Sequence, residues 1–294
     1  MATPVLANAE PVGDIVSEVG EGPLWSVAEQ ALYWLDIFGK RIHRLNFANG
    51  KTETFEMRSM PSAIAFRQAG GLLVAWRDGL SMLDLATGAE MPVPHGIDME
   101  LERFNDGKVD RRGRFFVGTM DGKGADPVGA LYRLDARRQI ERVADDLRLS
   151  NGIAWSPDDR ILYHCDSRPG QVYAYDFDIE AGTTSNRRIF IDFPQPGPRP
   201  DGCTVDVEGC LWVAEFGAGR VGRYTPTGER IGEIIVPSSR VTSVAFGGPD
   251  LATLFITALR ANAPAEELLA QPLAGRLFAA RPGVEGLPET AFAG

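Results

Sequence analysis

Short stretches of alternating apolar and polar residues, separated by turns rich in glycine and proline, recur along the whole chain. Alternation with a period of two is typical of strands that bury one face. The six most apolar stretches each follow a polar or glycine-containing turn, and they span 31–37, 71–76, 114–119, 161–166, 210–215 and 253–258. Each has another short strand before it, a third after it and then a fourth, more variable strand. The pattern predicts an all-β protein with one weak helical turn at 265–270.

These strands form units that repeat along the chain. The spacings between successive units are 40, 42, 46, 51 and 41 residues, and the units open at Glu21, Pro61, Arg103, Leu149, Pro200 and Val241. A period of 40 to 50 residues with four strands per unit is typical of β-propeller blades. The sequence therefore predicts a six-bladed β-propeller with four antiparallel strands per blade. Turn spacing alone also fits two β-sandwiches divided near Asp145, but the repetition favours the propeller.

Composition and charge indicate the number of domains and exclude some classes of partner. The 294 residues are 44% hydrophobic and contain no low-complexity linker, so we expect residues 1–294 to form a single propeller domain. Residues 1–12 are expected to be a poorly ordered N-terminal extension. The formal net charge of -10 opposes binding to nucleic-acid phosphates and to anionic lipid. No apolar run approaches the roughly 20 residues of a membrane span, so neither nucleic acid nor membrane is an expected partner.

The cysteines indicate a reducing compartment. Cys165, Cys203 and Cys210 are too few for a disulfide framework, and a turn at Glu208-Gly209 would hold Cys203 and Cys210 apart. Free thiols are typical of cytoplasmic proteins. The N-terminus also lacks a basic segment followed by an apolar stretch. We therefore expect a cytoplasmic protein, as a monomer or a weak dimer.

The candidate chemistry lies where the predicted units begin. In a propeller, the loops that enter the innermost strands converge on one face of the central channel, so distant residues become neighbours. Four of the six segments contain an acidic or amide residue with glycine directly after it or one residue later: Glu21-Gly22, Asn105-Asp106-Gly107, Asn151-Gly152 and Asp201-Gly202. One such pair is ordinary turn chemistry. Because the pairs recur, the sequence predicts oxygen ligands around a hard divalent cation.

The histidines argue against two other kinds of catalytic site. His43, His95 and His164 lie outside the segments that open the units, and the chain has no Gly-x-Ser-x-Gly elbow. A histidine-based zinc site or a Ser-His-Asp triad requires at least one histidine at the channel.

Several motifs together resemble those of the SMP-30/gluconolactonase family. The resemblance runs from about Glu21 to the C-terminus, and its motifs lie at 21–25, 103–110, 150–152, 185–188, 200–202 and 246–250. Members of this family are six-bladed propellers that bind one divalent cation in the channel and hydrolyse sugar lactones.

The resemblance implies a role for individual residues. It implies that Glu21, Asn151 and Asp201 bind the metal with Asn105 beside them, that Arg103 and Asn105 hold substrate oxygens, and that Asp201 is the acid/base. The cation's identity stays open among zinc, calcium, manganese, magnesium and iron(II). The segment 121–127 is shorter than the lid loop of some members and lacks its sugar-contacting glutamate. We expect Asp121 to replace that substrate contact.

The predicted reaction is the hydrolysis of an aldono-1,4- or 1,5-lactone to the aldonic acid. Water attacks the carbonyl carbon of the cyclic ester, and a divalent cation can polarise that carbonyl and lower the pKa of a bound water. Asp201 acting as the base and a cation-bound hydroxide acting as the nucleophile both fit these residues. Two alternatives remain open at this point: a metal-dependent aryl-ester or phosphotriester hydrolase, and a non-catalytic calcium-binding propeller scaffold.

Overall fold

The computed structural model describes residues 3–123 and 126–294. The first two strands are β1 (Val5–Asn8) and β2 (Glu10–Val16). Blade 1 contains β3 (Gly20–Ser26), β4 (Ala31–Asp36), β5 (Arg41–Asn46) and β6 (Thr52–Glu56). Blade 2 contains β7 (Pro61–Phe66), β8 (Leu72–Trp76), β9 (Gly79–Leu83) and β10 (Glu90–Val93). Blade 3 contains β11 (Glu102–Val109), β12 (Phe115–Asp121), β13 (Gly129–Leu134) and β14 (Ile140–Leu147).

The second half of the chain forms the other three blades. Blade 4 contains β15 (Ser150–Trp155), β16 (Ile161–Asp166), β17 (Gln171–Asp178) and β18 (Thr183–Asp192). Blade 5 contains β19 (Arg199–Val205), β20 (Leu211–Phe216), β21 (Arg220–Tyr224) and β22 (Arg230–Ile235). Blade 6 contains β23 (Val241–Gly247), β24 (Thr253–Ala258), the helix α1 (Ala265–Ala270) and β25 (Arg276–Ala280).

The blades form a closed ring. Consecutive strands within each blade are antiparallel neighbours, and the first strand of each blade contacts the first strand of the next. The ring closes because β23 of blade 6 contacts β3 of blade 1. The predicted six-bladed β-propeller is confirmed, and α1 coincides with the predicted helical turn.

The N-terminal segment completes the two last blades. β2 pairs antiparallel with β25 and becomes the fourth strand of blade 6, whereas β1 pairs parallel with β22 at the outer edge of blade 5. The expectation of a poorly ordered extension over 1–12 is corrected here, because these strands cover sheet edges that would otherwise be unpaired. Residues 1 and 2 of that extension lie outside the described residues.

The hydrophobic core lies between neighbouring blades. The second strands β4, β8 and β12 are buried along their whole length because each sheet packs against a neighbour on both faces. Between blades 2 and 3, for example, Leu73 and Met82 belong to the same buried cluster as Phe104 and Phe115. Among the fourth strands, β18 is mostly exposed and β6 is partly exposed.

The C-terminal segment lies against the far end of the axial channel. Gly286 bridges to Asp206, and the buried Phe292 bridges to Arg67. Inside the channel, Oε1 of Glu289 lies 3.0 Å from Nζ of Lys108. The first strands therefore begin at an open mouth and end under this segment.

The three cysteines agree with the prediction of free thiols. Cys165, Cys203 and Cys210 are buried free thiols. Within residues 3–123 and 126–294, the structure has no helix with the length and apolar character that crossing a membrane requires.

Candidate metal centre and substrate cleft

The predicted ligands lie inside the first strands, at β-bulges. This corrects the expectation that they lie in loops before those strands. A bulge bends the strand and turns side chains out of the regular alternation, and here it aims acidic and amide side chains at the channel. The strand register shifts between Glu21 and Leu24, between Phe104 and Gly107, between Ser150 and Ile153, and between Pro200 and Cys203.

One cleft at the mouth of the channel collects most of the predicted site residues. It has an empty volume of about 850 Å³, counting the part open to solvent. The predicted residues that line it come from blades 1, 3, 4 and 5, and they are Glu21, Arg103, Asn105, Asn151 and Asp201. Side chains up to 180 residues apart in sequence are therefore neighbours in the fold.

The two amide side chains are held by their nitrogen atoms. Nδ2 of Asn105 donates a hydrogen bond to the Ser150 carbonyl at 2.8 Å. Nδ2 of Asn151 donates to Oγ of Ser167 at 3.0 Å, and that hydroxyl donates to the Pro200 carbonyl at 2.6 Å. The amide oxygens are therefore the atoms left to act as ligands.

Three carboxyl groups, of which Asp201 is buried and Glu21 and Asp106 are partly buried, lie close enough to influence one another. Burial, followed by the charges of Asp201 and Asp106, raises the pKa of Glu21 well above its usual range. Burial and then the charge of Asp106 raise the pKa of Asp201 in the same way, and burial raises the pKa of Asp106 to about 6. Like charges and low solvation both disfavour the ionised forms. A bound divalent cation would reverse this effect.

The donor atoms fit a hard divalent cation. Oδ1 of Asp201 is buried and has no hydrogen-bond partner among the described residues, a state that costs stability unless a ligand or ion satisfies the oxygen. Those residues contain no group of three or more His, Cys, Asp and Glu side chains that could hold a metal. The candidate centre differs from such a group because amide oxygens supply part of the ligand set.

Two acidic residues lie outside the cleft. Asp121 does not line the cleft; its carboxylate accepts hydrogen bonds from the backbone N–H groups of Lys123 and Asp126, both at 3.0 Å. Residues 124 and 125 of that loop lie outside the described residues. Asp106, which belongs to one of the repeated segments but to which the sequence assigns no separate role, lines the axial channel beneath the cleft.

The walls of the cleft contain residues that sequence reasoning missed. Phe38 follows β4 in the hairpin to β5 and is 50% exposed. Met120 is the second-last residue of β12, Phe216 is the last residue of β20, and Arg199 is the first residue of β19. None of the three histidines lines the cleft.

Replacing Gly152 by alanine is expected to destabilise the fold and disturb the candidate centre. A Cβ atom at Gly152 would lie 2.5 Å from the Asp201 carbonyl oxygen and 2.6 Å from the Cys203 backbone nitrogen. Separating the two first strands should cost about 2 kcal/mol. Denaturant unfolding and calorimetric cation binding measure both effects.

Gly122→Ala is the matched control, because its nearest non-bonded heavy atom would be at an ordinary 3.4 Å. Equal stability of the two variants would show that this close approach does not constrain Asp201.

Comparisons with known proteins agree on one family. The sequence profile described as "SMP-30/Gluconolactonase/LRE-like region" matches residues 19–260. The chain is 42% identical to the 6-deoxy-6-sulfogluconolactonase of Pseudomonas putida, across 95% of this chain and 96% of that protein. It is 38% identical to the regucalcin of Danio rerio, again across 95% and 96%.

A solved structure shows the same architecture. A calcium-binding protein from Agrobacterium tumefaciens, described as a regucalcin, superposes with a TM-score of 0.94 at 28% sequence identity. The superposition covers 99% of both chains.

Proposed function

Because the chain belongs to the SMP-30/gluconolactonase family, we propose that it hydrolyses a sugar 1,4- or 1,5-lactone to the aldonic acid with the help of one divalent cation. The observation that carries this proposal is the meeting of four oxygen-bearing side chains in one cleft, with a buried oxygen of Asp201 left unsatisfied. The named lactonase relative acts on a sulfonated gluconolactone, which supports the substrate class.

Glu21, Asn151 and Asp201 are proposed to hold the cation. When bound, the cation would polarise the ester carbonyl and lower the pKa of water in the cleft. The regucalcin neighbour is described as calcium-binding, and an all-oxygen donor set suits calcium, magnesium or manganese better than a soft metal.

Asp201 is proposed to move the proton. Its carboxylate accepts a proton from the attacking water and returns it to the ring oxygen as the C–O bond of the lactone breaks. Asn105 and Arg103 lie in the same strand, β11, and face the same cleft. They are proposed to bind sugar hydroxyls and to set the position of the lactone.

Apolar side chains form part of the cleft wall. Phe38, Met120 and Phe216 cover the cleft on several sides and would exclude bulk water from the bound sugar ring. Water exclusion strengthens the charge-based contacts inside a site.

The buried free thiols support a reducing compartment. We therefore propose that the protein lies in the cytoplasm and is a monomer or a weak dimer.

A lactone panel with and without chelator tests the proposed function. The protein should open glucono-1,5-lactone or a pentonolactone, lose at least about 99% of that rate in chelator, and regain it when a divalent cation is added back. A pH-indicator assay measures all three states on one sample.

Paraoxon and phenyl acetate are the matched comparison substrates. If either compound were turned over faster than every lactone, the activity would be phosphotriester or aryl-ester hydrolysis and the proposed lactone hydrolysis would be wrong. Calcium binding without turnover of any substrate would leave only a scaffold.

A further inference from the structure

A second cavity adjoins the substrate cleft. It has an empty volume of about 440 Å³ and shares Ile37, Phe38 and Arg103 with the cleft. Arg77, which follows β8, lines the second cavity. Because the two cavities share part of their walls, they lie side by side, and Phe38 and Arg103 line both.

The two arginines of this cavity have no counter-ion. Within the described residues, neither guanidinium of Arg77 and Arg103 forms a hydrogen bond or an ion pair. Several other arginines of the described residues are paired with carboxylates, as Arg58 is with Glu90 and Arg240 with Glu267. Burial and then the charge of Arg77 lower the pKa of Arg103. This protein of net charge -10 thus keeps two cationic side chains close together without a carboxylate.

The charges in and beside the cleft are distributed unevenly between two ends. The carboxyl groups of Glu21 and Asp201 line the cleft together with Arg199, whereas Arg103 lies at the border with the second cavity, whose described lining contains Arg77 and no carboxylate. An anionic group on a substrate would be repelled by the carboxylate end and attracted to the arginine end. Arginine guanidinium groups bind carboxylate, sulfonate and phosphate oxygens through directed pairs of hydrogen bonds.

We propose that Arg77 and Arg103 form an anion subsite, and that the substrate is a sugar lactone with a negatively charged group remote from its carbonyl. This inference rests on the proposed lactone hydrolysis and adds the substrate class and Arg77 to it. The anion anchors one end of the sugar, which places the lactone carbonyl at the candidate metal centre. Phe38 lies against both cavities and covers the sugar between the two ends.

The test compares lactones that differ only at carbon 6. The values of kcat/KM are measured for glucono-1,5-lactone, its 6-phosphate and its 6-deoxy-6-sulfonate. The wild type should prefer at least one anionic lactone over the neutral one by about tenfold or more. The preference for phosphate against sulfonate identifies the anion. Arg77→Ala should reduce the anionic-to-neutral ratio by about tenfold, and Arg77→Lys should restore part of it.

Arg137→Ala is the control, because Arg137 is exposed in the turn between β13 and β14 at the end of blade 3 away from the cleft. It should leave the ratio unchanged. Calorimetry with 6-phosphogluconate and gluconate gives a second readout that needs no turnover, and 6-phosphogluconate should bind more tightly in an Arg77-dependent manner.

The outcomes separate this inference from the proposed function. Equal kcat/KM for neutral and anionic lactones, or a preference that Arg77→Ala leaves intact, would overturn the anion subsite alone. Absence of turnover for every lactone, with the Arg77-dependent binding preference present, would overturn the proposed hydrolysis and leave an anion-binding site.

Discussion

Asp201→Asn is expected to lower kcat for a sugar lactone by at least a hundredfold while raising the thermal stability of the cation-free protein at pH 7. The activity falls because the amide neither accepts a proton nor supplies a charged ligand. The stability rises because the Asp201 carboxylate is buried, has an unsatisfied oxygen and lies near the Asp106 charge. Removing the charge should contribute about 1 kcal/mol, or about 2 °C in the unfolding temperature.

The sign of this stability effect follows from the raised pKa. A carboxyl group whose pKa is higher in the folded protein than in the unfolded chain favours folding at low pH, and that contribution is lost as the pH rises through the folded value. At pH 7 in chelator, the wild type therefore carries an electrostatic cost that the asparagine variant lacks. Calorimetric unfolding in chelator at pH 5 and pH 7 measures the difference.

Asp206→Asn is the matched control for a buried carboxylate. Asp206 is fully buried, but its Oδ2 accepts hydrogen bonds at 2.9 Å from Nε1 of Trp212 and from Nε of Arg223. Its replacement should lower the unfolding temperature, since a satisfied charge is lost. A lower unfolding temperature for Asp201→Asn as well, or substantial remaining turnover, would contradict the assigned role of Asp201.

Cation affinity is expected to rise about a hundredfold between pH 5 and pH 7. Glu21, Asp106 and Asp201 have raised pKa values, with that of Asp106 at about 6, so at pH 5 a cation must displace protons from them. Each proton released gives up to a tenfold change per pH unit. Isothermal titration with calcium or manganese across this pH range measures the profile.

Asp106→Asn should move the midpoint of that profile to lower pH. The Asp106 charge contributes to the raised pKa of both Glu21 and Asp201, and the asparagine removes it. Asp98→Asn, in the exposed loop before β11, should leave the midpoint unchanged. A pH-independent affinity in the wild type would mean that these carboxyl groups do not bind the cation.

The repeat architecture could be predicted from the sequence because each blade repeats the same local signals. Apolar runs such as 161–166 and 210–215 follow turns at similar spacing, and these runs form second strands that are buried along nearly their whole length. The strand near the N-terminus was not predictable in this way. Strand β2 carries Pro11 and Gly13, which weaken its strand signal, and its partner β25 lies at least 260 residues away.

The residues of the candidate centre were predictable where the same sequence pattern recurs in several blades, and they were not predictable where the pattern occurs once. Glu21, Asn151 and Asp201 occupy equivalent positions in different blades, so their recurrence is visible in the sequence. Asn105 and Asp106 are adjacent in one bulge, and only the backbone geometry decides that Asn105 faces the cleft and Asp106 the channel.

The role of residues outside the repeated pattern could be recognised only from the fold. Phe38 and Arg77 lie in hairpins between second and third strands, where the blades share no motif. Asp121 is acidic and lies near the predicted position, yet its carboxylate is occupied by backbone N–H groups of its own loop. Side-chain direction in a single loop depends on local hydrogen bonding, and sequence position does not determine it.

A crystal grown with manganese, measured at the manganese absorption edge, tests the central claim most directly. We predict one anomalous peak at the mouth of the channel, within about 2.5 Å of oxygen atoms from Glu21, Asn151 and Asp201. An anomalous peak elsewhere, or none there at a manganese concentration that supports lactone hydrolysis, would contradict it.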